Sequence, residues 1–423
     1  MTFLNASPDS PRRFYAAIIV AVLVLTAAPY VVGMLATPKG AVFAGSHTLT
    51  PGDFSVYFSY LEQVREHTGL VRDLYTTEAN VWPFFTPFWT TAGIVGAMLH
   101  LPPGITLHLV RLLLIAPFLA VVAVFVETIF RSSTMRRWAF VFIAFSSGSG
   151  MLVLPYLKPF LSAPPGYYHY PVDLWVPEAI TFLTLYHNPL FIAALTGLVA
   201  AFTFLVRAFD APGDRHAVFW AGAGAFVAIL LHPFHAYTLL ATIGLYLLLR
   251  LAARRHLDGR QLRILVEVGL IALPAVLYHA AVLRLDPGAA GRAAQNINLM
   301  TTWWLTIGSY GVLGLLAVVG VVIALRRQFS DHRRLFLVSW FVAHAFLIYA
   351  PLQFQRRLTE GWHIPMALLA LIAIVAIGRA VFSRVPRIVG DALTNPVLHV
   401  LAFVFIFTLS NANVIAVDLR DYT

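Results

Sequence analysis

Residues 50–111 read TPGDFSVYFSYLEQVREHTGLVRDLYTTEANVWPFFTPFWTTAGIVGAMLHLPPGITLHLVR. This stretch is the longest polar interruption in an otherwise apolar chain, and it follows the first apolar run, Phe14 to Ala36. It concentrates five acidic residues, which are Asp53, Glu62, Glu66, Asp73 and Glu78. An acidic and aromatic loop of this length at one surface of a membrane protein indicates a functional loop.

The composition places the chain in the membrane. Of 423 residues, 59% are hydrophobic and 11% are charged, whereas ordinary soluble domains have roughly 45–50% apolar and about 25% charged residues. The apolar residues form long runs, so we expect an all-α, polytopic transmembrane protein whose residues 1–423 form a single membrane domain. The runs predict about 11 spans of membrane-crossing length, at residues 14–36, 104–130, 138–157, 189–208, 216–233, 236–252, 264–283, 308–325, 335–352, 363–382 and 397–416.

Cysteine and charge exclude several classes of function. The chain has no cysteine, which rules out disulfides, thiol nucleophiles and thiolate metal sites. The net charge of +10 is spread over short loops between the apolar runs, which is the pattern of membrane topology. We therefore expect the lipid bilayer and not nucleic acid as a partner.

The topology depends on residues 82–101, which are apolar and nearly long enough to cross. If this segment lies along the surface, the loops that hold most of the 29 Lys and Arg residues fall on one side. The positive-inside rule favours that arrangement and makes the N-terminus cytoplasmic in the plasma (inner) membrane. Pro83, Pro87, Pro102 and Pro103 also favour a broken surface segment. The outer face then receives the first outer loop, 37–103, with its interfacial helices, together with loops 158–188 and 353–362.

Three carboxylates are candidate catalytic groups. Apolar residues from Phe54 onward have helical spacing, which predicts a short amphipathic helix with Asp53 at its start. Asp53 fits a general base, and the sequence Thr50-Pro51-Gly52-Asp53 also fits a capping box at the helix start; the two roles are compatible. Glu78 precedes the apolar segment and could orient an acceptor or simply be solvated. Glu178 follows Pro177 near a membrane boundary, where an ionisable group is costly unless it is paired or functional.

Residues 351–365, PLQFQRRLTEGWHIP, place Arg356 and Arg357 on the face that topology disfavours for positive charge. Guanidinium groups bind phosphate oxygens in a bidentate manner. The pair is therefore either a clamp for a lipid-linked phosphate or an anchor for lipid headgroups. Gln355 and His363 lie beside it and are further candidates for substrate or phosphate contact.

The turn HPFH at residues 232–235 holds His232 and His235. Two histidines alone do not define a metal site, and the turn fits either a phosphate or substrate contact or a structural role. We accordingly predict no metal site and no cofactor, although a divalent cation requirement stays open. The aromatic loop 158–188 fits sugar stacking and an interfacial aromatic belt equally well.

The first loop resembles that of membrane glycosyltransferases with the GT-C fold, which include protein O-mannosyltransferases and aminoarabinose transferases. The matching features are Asp53 after the first span, the segment from Trp82 to Trp89, and Arg111-Leu112 at the second span. The resemblance covers about residues 14–130, while QRRLTEGWHIP is similar to a motif of an uncharacterised bacterial multispan group. The resemblance of the first loop implies that residues 82–101 do not cross and that Asp53 is catalytic, with Glu78 and Glu178 as lesser candidates. Arg111 is a further candidate for substrate or phosphate binding.

The resemblance further implies a glycosyltransferase of hexosyltransferase type. It would transfer a sugar, with inversion, from a polyprenyl-phosphate-linked donor to a hydroxyl of a glycan, lipid or protein acceptor. A carrier or flippase for a lipid-linked or amphipathic solute is the alternative, as is a non-catalytic membrane scaffold. A carrier needs polar groups deep in several spans, and the sequence has few.

Overall fold

A computed structural model describes residues 11–47, 51–67, 71–75, 86–157, 170–328, 331–382 and 396–423. The secondary structure in these ranges is helical, which confirms the all-α prediction. The helices in chain order are α1 (Pro11–Ala36), α2 (Pro51–His67), α3 (Pro87–Met98), α4 (Pro103–Ile129), α5 (Ser133–Phe145), α6 (Gly150–Leu157), α7 (Val172–Trp175), α8 (Thr181–His187), α9 (Pro189–Asp210), α10 (Arg215–Leu231), α11 (His235–Arg254), α12 (Gly259–Leu285), α13 (Pro287–Gln295), α14 (Trp303–Gln328), α15 (His332–Leu347), α16 (His363–Phe382), α17 (Pro396–Phe407) and α18 (Leu409–Tyr422). A short 3₁₀ helix, Gln355–Thr359, precedes α16.

The long apolar helices make this an integral membrane protein. Within the described ranges, 8 helices are long and apolar enough to cross a membrane, with α5 and α6 counted together, or 9 if the bent pair α17 and α18 forms one span. Helices also occupy the two other predicted spans, and these are shorter: α10 has 17 residues and α15 has 16.

In the described part of the first loop, the helices α2 and α3 pack on each other. α2 buries Phe54, Leu61 and Val64, the apolar face that the helical spacing predicts. Trp89 of α3 stacks on Tyr57 with ring centroids 4.6 Å apart. The 12 residues of α3 extend roughly 18 Å, too short to cross a hydrocarbon core of about 30 Å. The helix α3 is therefore too short to cross the membrane by itself.

Small residues allow α9 and α10 to cross closely. Gly197 of α9 faces Gly224 of α10, and a Cβ atom built at Gly224 would lie 2.6 Å from the backbone nitrogen of Ala201. Only helices without side chains at the crossing can approach so closely. This contact brings the N-terminus of α9 beside the C-terminus of α10, where several of the candidate residues lie.

Candidate functional site

Asp53 lies in the first turn of α2, and its side chain is solvent-accessible. Protein atoms around the carboxylate nevertheless exclude part of the water near it, and this partial desolvation raises the pKa of Asp53 above its usual value. The charges of Arg357, Glu178 and Arg356 also act on this carboxylate, the arginines lowering the pKa and Glu178 raising it. The start of α2 and the segment before α16 therefore lie close enough for their charges to act on one another. Thr50, which the capping interpretation of Asp53 requires, lies outside the described residues.

Glu178 and Arg357 form an ion pair between the guanidinium Nη1 and the carboxylate Oε1. The Glu178 side chain is 1% exposed and that of Arg357 is 19% exposed. Burial acts to lower the pKa of Arg357, but the Glu178 carboxylate outweighs it and raises this pKa. The guanidinium also lies over the Phe191 ring, 5.7 Å from its centroid. Arg357 is thus a fixed positive group with part of its surface open.

Arg356 is held beside Arg357 by a different set of contacts. Its Nη2 donates to Oδ1 of Asn298 at 2.5 Å, and its backbone N–H donates to the Asn298 carbonyl at 2.9 Å. Its guanidinium lies over Trp175, 4.6 Å from the ring centroid. Gln355 fastens the same 3₁₀ helix by accepting from the Met300 N–H at 3.0 Å and donating to the Ala350 carbonyl at 2.8 Å.

Tyr57, one turn after Asp53, joins this group. Its hydroxyl accepts a hydrogen bond of 3.0 Å from the amide of Asn188, which caps the N-terminus of α9. Burial raises the pKa of Tyr57, and the negative charge of Asp53 raises it further. The hydroxyl therefore stays protonated and neutral beside the Asp53 carboxylate.

His232 and His235 face Glu360, which follows the 3₁₀ helix. Nδ1 of His232 lies 2.5 Å and Nε2 of His235 lies 3.3 Å from Oε2 of Glu360. Burial opposes ionisation of Glu360, but the two imidazoles outweigh it and lower the pKa of this carboxyl to about 2. Among the described residues, His232, His235 and Glu360 form the group of three His and acidic side chains whose ligand atoms lie close enough to bind one metal ion.

The overall fold is similar to that of a solved membrane enzyme. An archaeal oligosaccharyltransferase from Archaeoglobus fulgidus, solved with an inhibitory peptide and a dolichol-phosphate, superposes with a TM-score of 0.50 and 11% identity, over 97% of this chain and 56% of the other. The same enzyme with Zn and sulfate gives a TM-score of 0.51 and 10% identity, over 95% of this chain and 53% of the other. This chain spans just over half the length of that enzyme. The fold is the GT-C fold.

The GT-C likeness is one of structure. No protein-family model matches the sequence, and no curated protein matches it at a significant level. At 10–11% identity, the likeness shows the fold alone. The resemblance of the first loop nevertheless pointed to the same fold.

Arg111 and His363, two further predicted site residues, also have internal partners. Arg111 is fully buried in α4, where it donates to the carbonyls of Leu185 at 2.9 Å and Thr26 at 3.0 Å. His363 is 1% exposed, and its two ring nitrogens lie 3.0 Å from the Ser146 hydroxyl and 2.8 Å from the Thr181 hydroxyl. Both residues connect helices. Glu78 lies outside the described residues.

The structure adds Tyr57, Asn188, Trp175 and Asn298 to the surroundings of Asp53 and the arginines. Helical spacing placed Tyr57 on the apolar face of α2, and no sequence pattern indicated that its hydroxyl would have a polar partner. Asn188 carries a local signal, since Asn directly before Pro189 is a common helix start. Asn298 carries no local sequence signal, because its role depends on a contact with Arg356, 58 residues away in the chain.

Proposed function

We propose that this protein is a membrane glycosyltransferase that moves a sugar from a polyprenyl-phosphate donor to an acceptor hydroxyl. The observation that carries the proposal is that Asp53, an accessible carboxylate with a raised pKa, lies within electrostatic range of Arg356 and Arg357. A base and a phosphate-binding pair on one face are the two groups that inverting sugar transfer from a phosphate requires. The GT-C fold supports the same class of reaction.

In this mechanism Asp53 removes the proton of the acceptor hydroxyl. The acceptor oxygen attacks the anomeric carbon with inversion, and the bond from that carbon to the phosphate oxygen breaks. The phosphate leaves as an anion beside Arg356 and Arg357, which stabilise its charge. No separate proton donor is needed because the phosphate leaves in its ionised form.

Glu178 has a supporting role in this proposal. It is buried against Arg357 and has no open side toward a substrate, so it fixes the direction of the guanidinium. His232 and His235 contact Glu360 and act on the arginines only through the backbone that connects Glu360 to Arg357. Gln355 likewise positions the 3₁₀ helix.

The neighbouring structures support a lipid-linked donor. The Archaeoglobus fulgidus enzyme was solved with a dolichol-phosphate and, separately, with an acceptor peptide tethered to it. A lipid phosphate presented from the bilayer would reach the arginine pair beside the ends of α9 and α16. We propose the same class of donor here and leave the acceptor as a hydroxyl compound.

The test is transfer from a panel of radiolabelled polyprenyl-phosphate sugars in membranes that contain the full chain. We expect Asp53→Asn to lower the rate by about 10²- to 10⁴-fold, the usual contribution of a general base. Arg357→Gln should lower it by roughly 10²-fold or more, because a leaving-group contact is lost. Glu62→Gln is the matched control, since Glu62 lies on the same helix and pairs with Arg65.

Two results would count against the proposal. If well-folded Asp53→Asn transfers sugar at the wild-type rate, Asp53 is not the general base. If the wild type binds a donor and moves it between the leaflets without consuming it, the protein is a carrier and not a transferase.

A further inference from the structure

The turn between α10 and α11 and the segment before α16 are joined by one buried cluster. His232 ends α10, and its carbonyl accepts a 3.0 Å hydrogen bond from the N–H of His235, the first residue of α11. This tight turn directs both rings toward Glu360. The exposed fractions of the three side chains are 6%, 1% and 0%.

The donor atoms of this cluster converge. Nδ1 of His232, Nε2 of His235 and a carboxylate oxygen of Glu360 all lie within 4.8 Å of one another. Despite these distances, none of the three atoms, nor the second Glu360 oxygen, makes a hydrogen bond of acceptable geometry with any described residue. Buried polar atoms without hydrogen bonds are rare and costly. A cation between them would satisfy all three side chains at once.

Neighbouring side chains hold Glu360 and His232 in position. Nε2 of His344 lies 3.2 Å from the Glu360 carbonyl and holds the backbone of that residue in place. The rings of Phe191 and Phe234 pack against His232, with centroids 5.4 Å and 4.9 Å away. A second layer of contacts that orients the ligands, together with an apolar shell, is typical of protein metal sites.

We propose that His232, His235 and Glu360 bind a Zn²⁺-class transition-metal ion. Two imidazole nitrogens and one carboxylate form the ligand set that Zn²⁺ accepts, with a fourth position for a water molecule. Mg²⁺ and Ca²⁺ prefer sets of oxygen ligands and do not suit two imidazoles. The ion fastens the α10–α11 turn to the segment that carries Arg356 and Arg357, and its binding does not depend on the proposed transferase activity.

The first experiment measures metal in the full-length protein, purified without chelators, by inductively coupled plasma mass spectrometry. We expect about one Zn²⁺-class ion per chain, as for a three-ligand site, and loss of most of it in His232→Ala, His235→Ala and Glu360→Gln. His279→Ala is the control, because His279 also lies beside this turn, with Nε2 3.0 Å from the Ile229 carbonyl, and does not belong to the cluster. It should retain the ion.

A second measurement keeps the test decisive if the alanine variants do not fold. Co²⁺ added to metal-stripped wild type should produce the visible absorption bands of a four-coordinate site, and Glu360→Gln, which nearly preserves the side-chain shape, should weaken them. The proposal is overturned if the wild type neither holds the ion nor binds Co²⁺ with these bands. It is also overturned if well-folded Glu360→Gln retains both the ion and the bands, and the cluster is then only a histidine–carboxylate ion pair.

Discussion

Glu178 stabilises the charge of the largely buried Arg357 side chain. Alone, a guanidinium with only 19% of its surface exposed would be costly, because little water solvates its charge. Glu178 lies 179 residues away in the chain and supplies the neutralising charge. The arginine can therefore keep its position beside Asp53 whether or not a phosphate is bound.

Removing one member of this pair should destabilise the protein more than removing both. Glu178→Leu leaves a largely buried positive charge, and we expect a loss of roughly 3 kcal/mol in the free energy of unfolding. Glu178→Leu/Arg357→Met should recover part of this loss, because neither charge remains buried. Chemical denaturation of the single and double variants measures the difference. Equal or greater destabilisation in the double variant would contradict the argument.

Asp173, at the start of α7, should make stability depend on pH. Burial raises its pKa to about 7, although hydrogen bonds from Ser410 and from the Gly150 N–H act in the opposite direction. In the unfolded chain this pKa is about 3.9, so the folded state holds the proton more tightly. Stability therefore falls as pH rises from about 4 to about 7 and changes no further above that window.

Asp173→Asn cannot lose a proton, so it removes this dependence. We expect the melting temperature of the variant, relative to the wild type, to rise steadily between about pH 4 and pH 7. Thermal unfolding of both proteins in the same detergent at several pH values measures this. Parallel curves for the two proteins would show that Asp173 does not titrate in that window.

At the scale of the helices, the crossing of α9 and α10 determines where the site residues lie. Phe191 and Asn188 are at one end of α9, and His232 is at the adjoining end of α10. The close approach at Gly197 and Gly224 brings these ends together. A wider crossing would separate Phe191 from His232, whose ring centroids are 5.4 Å apart.

Gly224→Leu should therefore damage the protein, since its Cβ would meet the Ala201 backbone, which cannot move away. We expect a clear drop in melting temperature and in the yield of folded protein. Gly244→Leu in α11 is the matched control, because a Cβ there meets nothing within 4 Å. It should be neutral or stabilise by up to about 1 kcal/mol through helix propensity. Similar losses in the two variants would indicate a general effect of replacing glycine.

For the whole molecule, the distribution of charge predicts orientation. The loop that carries Asp53 is expected to be outside and the basic loops inside. The chain has no cysteine, so single cysteines report their own position. Gly52 and Gly213 are suitable sites, because a Cβ at either meets nothing within 4 Å.

We expect a membrane-impermeant maleimide to label Gly52→Cys in intact cells and to label Gly213→Cys only after permeabilisation. Gly52 adjoins Asp53, and Gly213 lies in the loop between α9 and α10, so the two report opposite faces in the predicted topology. The reverse labelling would place the site in the cytoplasm. The cysteine-free wild type measures the background.

The amino-acid sequence alone determined the fold class and the approximate positions of the helices, because hydrophobic length and periodicity are local properties that the bilayer selects. It also singled out Glu178, since an ionisable residue near a membrane boundary is costly unless paired or functional. Asp53 was selected by its place at the start of a predicted helix, and Arg356 and Arg357 by their position on the face that topology disfavours for positive charge. Only the tertiary structure decided which of them meet. The Glu178–Arg357 pair, the Tyr57–Asn188 bond and the contact of Glu360 with His232 each join residues far apart in the chain. Helix packing creates those contacts, and no local pattern encodes them.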